Sequence, residues 1–127
     1  MLFHIFNSQE ERRAFGGSRF IEIQYCRHPM DTKPKRILNN VTHWSDDSLY
    51  VDDIDLFYVE YKHIFDCGIY HNLKTGTVDL FGINYYTPNF FDTVVKRIEN
   101  EKPADYEALL SWLEKAKEYN GFYILGV

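Results

Sequence analysis

His63, Cys67 and His71 stand four residues apart in the stretch HIFDCGIYH, a spacing that on a helix would bring two imidazoles and a thiolate to one metal ion. The surrounding residues read as β structure that runs into a turn. Four residues of strand cover about 13 Å, too far for ligands that must each lie about 2 Å from a single zinc ion. No metal site is expected, and both histidines should sit near strand ends in solvent. Cys26 and His28 could be a nucleophile and its base, but two residues apart on one strand they are separated by about 6–7 Å, beyond hydrogen-bond reach. Phe15-Gly16-Gly17-Ser18 carries neither a nucleophile elbow nor a phosphate loop and reads as a turn. The acids from Asp46 to Asp55 lack the alternate spacing and central glycine of a calcium loop. Asp52, Asp53 and Asp55 are close enough for one carboxyl to have its pKa raised, as acid/base chemistry needs. No base or metal partner accompanies them, and a solvated face is the simpler reading. The sequence therefore assigns no catalytic residue, no metal and no cofactor.

The concentration of those acids needs its own account. Residues 37–61 hold six carboxylates and no Lys or Arg, whereas residues 1–36 hold seven bases against four acids. The net charge of -5 is thus local in origin, and an overall acidic chain argues against a dedicated nucleic-acid binder despite the basic first third. A length of 127 residues with 45% apolar and 17% aromatic content suits a single α+β domain, 1–127, with a real core. There is no apolar run near the ~18 residues of a membrane span, and the opening Met1–Asn7 lacks the basic head and apolar stretch of a signal peptide. The expectation is a cytoplasmic protein with no membrane partner. Cys26 and Cys67 lie 41 positions apart with no CxxC, and both are expected to be buried thiols.

The elements follow from periodicity. Residues 2–6 and 19–26 read as strands, the second with Phe20, Glu22, Gln24 and Cys26 alternating against Ile21, Ile23 and Tyr25 as in a half-buried strand. Residues 27–48 are broken by Pro29, Pro34, Asn39-Asn40 and Asp46-Asp47 and read as one long irregular connection, a candidate binding region by its length. Residues 54–61, 64–71 and 77–83 read as three strands of an antiparallel meander, with Gly76 supplying a positive φ at a hairpin. Thr87-Pro88 should open a helix striped by Phe90, Phe91, Val94, Val95 and Ile98. After Pro103 a second helix carries Tyr106, Leu109, Leu110, Leu113 and Ala116. Asn120-Gly121 ends it, and residues 122–125 return as a closing strand. The resulting architecture is an antiparallel meander sheet packed by two C-terminal helices.

Aromatic residues crowd the expected meander, and alternation implies that Tyr85 and Tyr86 do not both face inward. Aromatic surface beside an acidic run suits a protein interface, where aromatic anchors dominate the binding energy and charge sets on-rate and specificity. Trp44 and Tyr50, which bracket Asp46 and Asp47, are the expected anchors. Asp46, Asp47, Asp52, Asp53 and Asp55 are the expected charged contacts. Such a face matches a basic groove, and nuclease active sites are grooves of that kind.

In its size, its opening short strand, the aromatic segment GTVDLFGINYY and the closing YEALLSWLEKAKEYNGFYILGV, the chain resembles the small immunity proteins of bacterial polymorphic toxin and contact-dependent growth inhibition systems. The resemblance implies a non-enzymatic cytoplasmic protein that binds and neutralises one cognate toxin, often a nuclease, as a heterodimer. The cluster Arg12, Arg13, Arg19 and Arg27 departs from a uniformly acidic inhibitor. Two other readings remain open: a small ligand-binding or enzymatic α+β fold built around a pocket, and another protein-blocking module such as a phage inhibitor of host defence.

Overall fold

The computed structural model describes residues 1–127. It is an α+β fold in which one antiparallel sheet of seven strands is covered on both faces. The strands are β1 (Phe3–His4), β2 (Ile21–Tyr25), β3 (Leu49–Val51), β4 (Gly68–Tyr70), β5 (Thr75–Gly76), β6 (Ile83–Tyr86) and β7 (Phe122–Leu125), in the spatial order β1-β3-β2-β7-β6-β4-β5. The last strand in sequence is thus the middle one in space. It pairs with β2 (Ile23 opposite Ile124) and with β6 (Asn84 opposite Ile124).

The helices are α1 (Gln9–Gly16), α2 (Pro34–Leu38), α3 (Ile54–Tyr61), α4 (Phe91–Glu101) and α5 (Tyr106–Ala116). On one face Ile21, Ile23, Leu49, Val51, Phe122 and Ile124 pack with Phe57 and Tyr61 of α3, Val94 and Ile98 of α4, and Leu109, Trp112 and Leu113 of α5. On the other face Cys26, Tyr85, Tyr123 and Leu125 pack with Ile37 and Leu38 of α2. Beside them Phe6, Phe20 and Tyr50 form a smaller cluster against Trp44. Tyr85 and Tyr86 are therefore both buried, because each face has its own cover. The expectation that one of them is exposed assumed a sheet open on one side.

The two amphipathic C-terminal helices and the closing strand form where the sequence places them, with the expected stripe residues Val94, Ile98, Leu109, Leu113 and Ala116 buried. Thr87 is extended and Pro88 follows it, but they open a short 3-10 turn (Pro88–Phe90) that leads into α4, and Thr87 makes no capping bond. Gly121 has φ 77°, and a Cβ there would stand 2.0 Å from the Tyr86 carbonyl oxygen, so only glycine fits this crossing from α5 to β7.

Three readings of the sequence are corrected. Residues 54–61 form the helix α3 and not a strand. Residues 64–71 and 77–83 contribute only β4 and the start of β6, and the left-handed residue of the intervening turn is Leu73, φ 70°, in place of Gly76. The 27–48 connection is not wholly irregular: it contains α2, whose Ile37 and Leu38 are core residues. No helix is long and apolar enough to cross a membrane.

Candidate functional site

The acidic run does not form one face, because the fully buried β3 divides it. Asp46 and Asp47 precede this strand, and Asp52, Asp53 and Asp55 follow it.

The first group belongs to a loop organised from beneath by Glu22. This β2 carboxylate is 0% exposed and accepts four hydrogen bonds: from the Trp44 N–H at 2.7 Å, the Ser45 N–H at 2.8 Å, the Ser48 hydroxyl at 2.6 Å and the Gln24 amide at 2.9 Å. Two successive backbone N–H groups converge on it because Trp44 adopts the left-handed conformation, φ 73°. That conformation costs a non-glycine residue about 1–2 kcal/mol, and charge-assisted hydrogen bonds to a buried carboxylate offset it. The strand β2 is buried along its whole length because the loop closes over the polar residues that alternation assigned to solvent.

Trp44 is half-buried. The guanidinium of Arg12, itself buried, lies 3.9 Å from its ring centre. Asp46 is exposed and accepts from the Gln9 amide at 3.0 Å. Asp47 forms an ion pair with Arg27 through Oδ2, and its carbonyl accepts from the Trp112 indole at 2.9 Å. Tyr50 does not serve as a surface anchor: it is 0% exposed, its hydroxyl donates to the Ser45 carbonyl at 2.5 Å, and burial is the main cause that pushes its pKa up to about 12. Of the basic cluster, Arg12 is thereby engaged inside the molecule and Arg27 is paired at its surface.

The second group starts α3. Asp53 is the N-cap, accepting from the Leu56 N–H at 3.0 Å, and Asp55 lies in the first turn, where a carboxylate meets the positive end of the helix. Asp52 Oδ1 lies 3.2 Å from His4 Nε2, a charge contact without hydrogen-bond alignment. Asp105 joins them in space. Its carboxylate accepts the Leu2 and Phe3 N–H groups at 3.1 and 3.0 Å, so it caps the free edge of β1 and is not available to cap α5.

Together these residues rim an open cleft of about 1050 Å³. Asp52, Asp53, Asp55 and Asp105 surround Met1, Leu56 and Phe81. Phe81 is 78% exposed and Met1 92%, and Val59, one turn beyond Leu56 on α3, is also exposed. Phe81 is presented by a turn held from behind: the Asn84 amide donates to the Asp79 carbonyl at 2.8 Å, and the Val127 N–H donates to the Leu80 carbonyl at 2.9 Å. The sequence reading missed Phe81, Leu56 and Asp105. Asp53 and Asp55 ahead of an apolar run are a helix-start signal that was there to be used, but nothing local marks Phe81 as exposed.

The other chemical candidates stay apart. Cys26 is buried, accepts from the Tyr123 hydroxyl at 3.3 Å and has its thiol pKa raised mainly by burial, while His28 turns to the Asn40 carbonyl at 3.3 Å. Cys67 is half-buried, and His63 and His71 are exposed. No group of three or more His, Cys, Asp or Glu residues is arranged to hold a metal ion. No protein-family model, curated protein or solved structure matches the chain significantly.

Proposed function

We propose that this chain is an immunity-type binding protein that neutralises a cognate toxin in the cytoplasm by stoichiometric occlusion, without catalysis of its own. The observation that carries this reading is the cleft at the start of α3, where four carboxylates rim the exposed Met1, Leu56 and Phe81. Large exposed apolar side chains grouped together and bordered by charge are the pattern of a docking surface. In such a surface the apolar and aromatic residues supply binding energy on desolvation, and the rim charges steer and select the partner. The surface proposed here keeps Asp52, Asp53 and Asp55 of the expected set and takes Phe81 as its anchor in place of Trp44 and Tyr50. A basic, phosphate-binding groove has the complementary charge, so a nuclease is the toxin class this rim suits best.

The test is capture from the native host with the tagged protein at low and moderate salt, repeated with Asp55→Lys and Phe81→Ser. A single stoichiometric partner, weakened by salt as an acidic interface requires and lost in either variant, supports the reading. Equal capture by the variants would reject this surface. Recovery of no stoichiometric partner at either salt would reject the binding-module reading itself.

A further inference from the structure

The helix α3 leaves one of its sides uncovered. Phe57 and Tyr61 face the core, and Glu60 is held in place where its carboxylate accepts the Ala104 N–H at 2.7 Å. The open side carries Asp55, Leu56, Val59 and Lys62, spaced three, four and seven residues apart as neighbours on one helix face are. Lys62 ends the helix as its C-cap and keeps a helical backbone. Leu56 is 40% exposed and lines the acidic cleft, whereas Val59 is 64% exposed and does not line it. Neither charge at the two ends of the stripe is paired within the molecule. Asp55 is exposed and forms no ion pair, and the Lys62 ammonium has no carboxylate within reach and lies 5.4 Å from the Tyr58 ring centre.

The order along this stripe is acid, apolar, apolar, base. A second copy laid antiparallel across it presents the same order reversed, so the stripe complements itself about a two-fold axis, the commonest symmetry of soluble oligomers. With the axis midway between Asp55 and Lys62, each Asp55 stands level with Lys62 of the second copy. At 1.5 Å of rise per residue, each Val59 then falls within about 1 Å of the axis along the helix, with Leu56 flanking the Val59 pair on either side. A parallel pairing would set acid against acid and base against base.

We propose that α3 is the seam of a two-fold homodimer, in which two Asp55–Lys62 contacts bracket a core of Leu56 and Val59 from both copies. The seam is short, so it belongs with the small, weak class of interfaces and forms a reversible dimer. Because Asp55 and Leu56 also line the acidic cleft, the dimer covers in the free protein part of the surface proposed for the toxin. The pairing itself needs no toxin, so its test and that of the toxin reading fail separately.

The test is sedimentation equilibrium of the full chain alone over about three decades of concentration, with Asp55→Lys, Lys62→Asp and Val59→Ser as variants and circular dichroism to confirm that each is folded. The expected result is a monomer–dimer equilibrium weakened about tenfold or more in Asp55→Lys and in Lys62→Asp, since the two-fold turns each change into two repulsive contacts. An equimolar mixture of these two variants should recover the affinity as a heterodimer, because both of its contacts again join opposite charges. Val59→Ser, which alters no charge and removes exposed apolar surface at the axis, should weaken the dimer by about tenfold as well. A monomer throughout the range, a dimer that Val59→Ser leaves unchanged, or a mixture that associates no more tightly than its components would each overturn the proposal.

Discussion

Glu22 is the residue on which the outer layer of the molecule depends most. It is a carboxylate with no exposed surface, and its four donors come from two segments of chain, β2 itself and the 44–48 loop. Taking it away strands donors that the fold has already removed from water, at about 1–3 kcal/mol for each one left unpaired. Glu22→Ala is expected to lower stability by roughly 3 kcal/mol or more. Glu22→Gln keeps the shape but turns an amide NH₂ towards donors, so it should recover only part of the loss. Urea unfolding measures both, and a red shift of Trp44 fluorescence should accompany them as the loop lifts from its left-handed turn. A Glu22→Ala protein as stable as the parent, with unchanged fluorescence, would show that the loop is held by Arg12 and Tyr50 instead. The sequence contains Glu22 and Gln24 at alternate positions of a strand, which reads as a solvent face. Only the return of a segment some twenty residues later makes them interior, and no local pattern carries that information.

At the scale of elements, the helix α3 shows how much was legible and why some of it was not. Ile54–Tyr61 is rich in β-branched and aromatic residues and has apolar side chains at almost every position, so its periodicity does not separate helix from strand. The acids before it decide the matter. Asp53 as N-cap and Asp55 in the first turn satisfy and neutralise the amino end of a helix, and this is a large part of why negative charge is concentrated beside the core here. By contrast α4 and α5 carry a single apolar stripe each and were plain in the sequence. The candidate site divides in the same way. Its carboxylates stand out by composition, whereas the exposure of Phe81 depends on how the 79–82 turn meets the chain's last residues. Asp53→Ala is expected to cost about 1 kcal/mol in urea unfolding, and Asp53→Ser to restore most of it. A neutral Asp53→Ala would mean that tertiary packing of Phe57 and Tyr61 alone sets the start of α3.

For the whole molecule, the central place of β7 and the covering of both sheet faces make the interior unusually rich in tyrosine. Tyr25, Tyr61 and Tyr85 donate to the carbonyls of Trp112, Ala104 and Asn120, and Tyr86 is buried with no partner for its hydroxyl. Burial is the leading cause that raises the pKa of each of these and of Tyr50 and Tyr123 above the ordinary value near 10, with Tyr50 at about 12. In the unfolded chain these hydroxyls ionise near pH 10. Between that pH and the higher folded values the unfolded state therefore binds fewer protons than the folded one, and stability falls as pH rises. The stabilisation is fully present below about pH 10 and is lost through the window above it. Because several hydroxyls share the core, the loss should be cooperative: the tyrosinate absorbance and the near-ultraviolet circular dichroism are expected to change together in one steep step above pH 10. Ionisation of all ten tyrosines along a smooth curve centred near pH 10, with the dichroism unchanged, would show that water reaches these rings and that the sheet is not sealed on both faces. Tyr25→Phe adds a second arm, since it removes one titrating hydroxyl together with its bond to Trp112. It should flatten the alkaline loss while lowering stability at neutral pH by about 1 kcal/mol, a pairing of effects that simple loosening of the core would not produce.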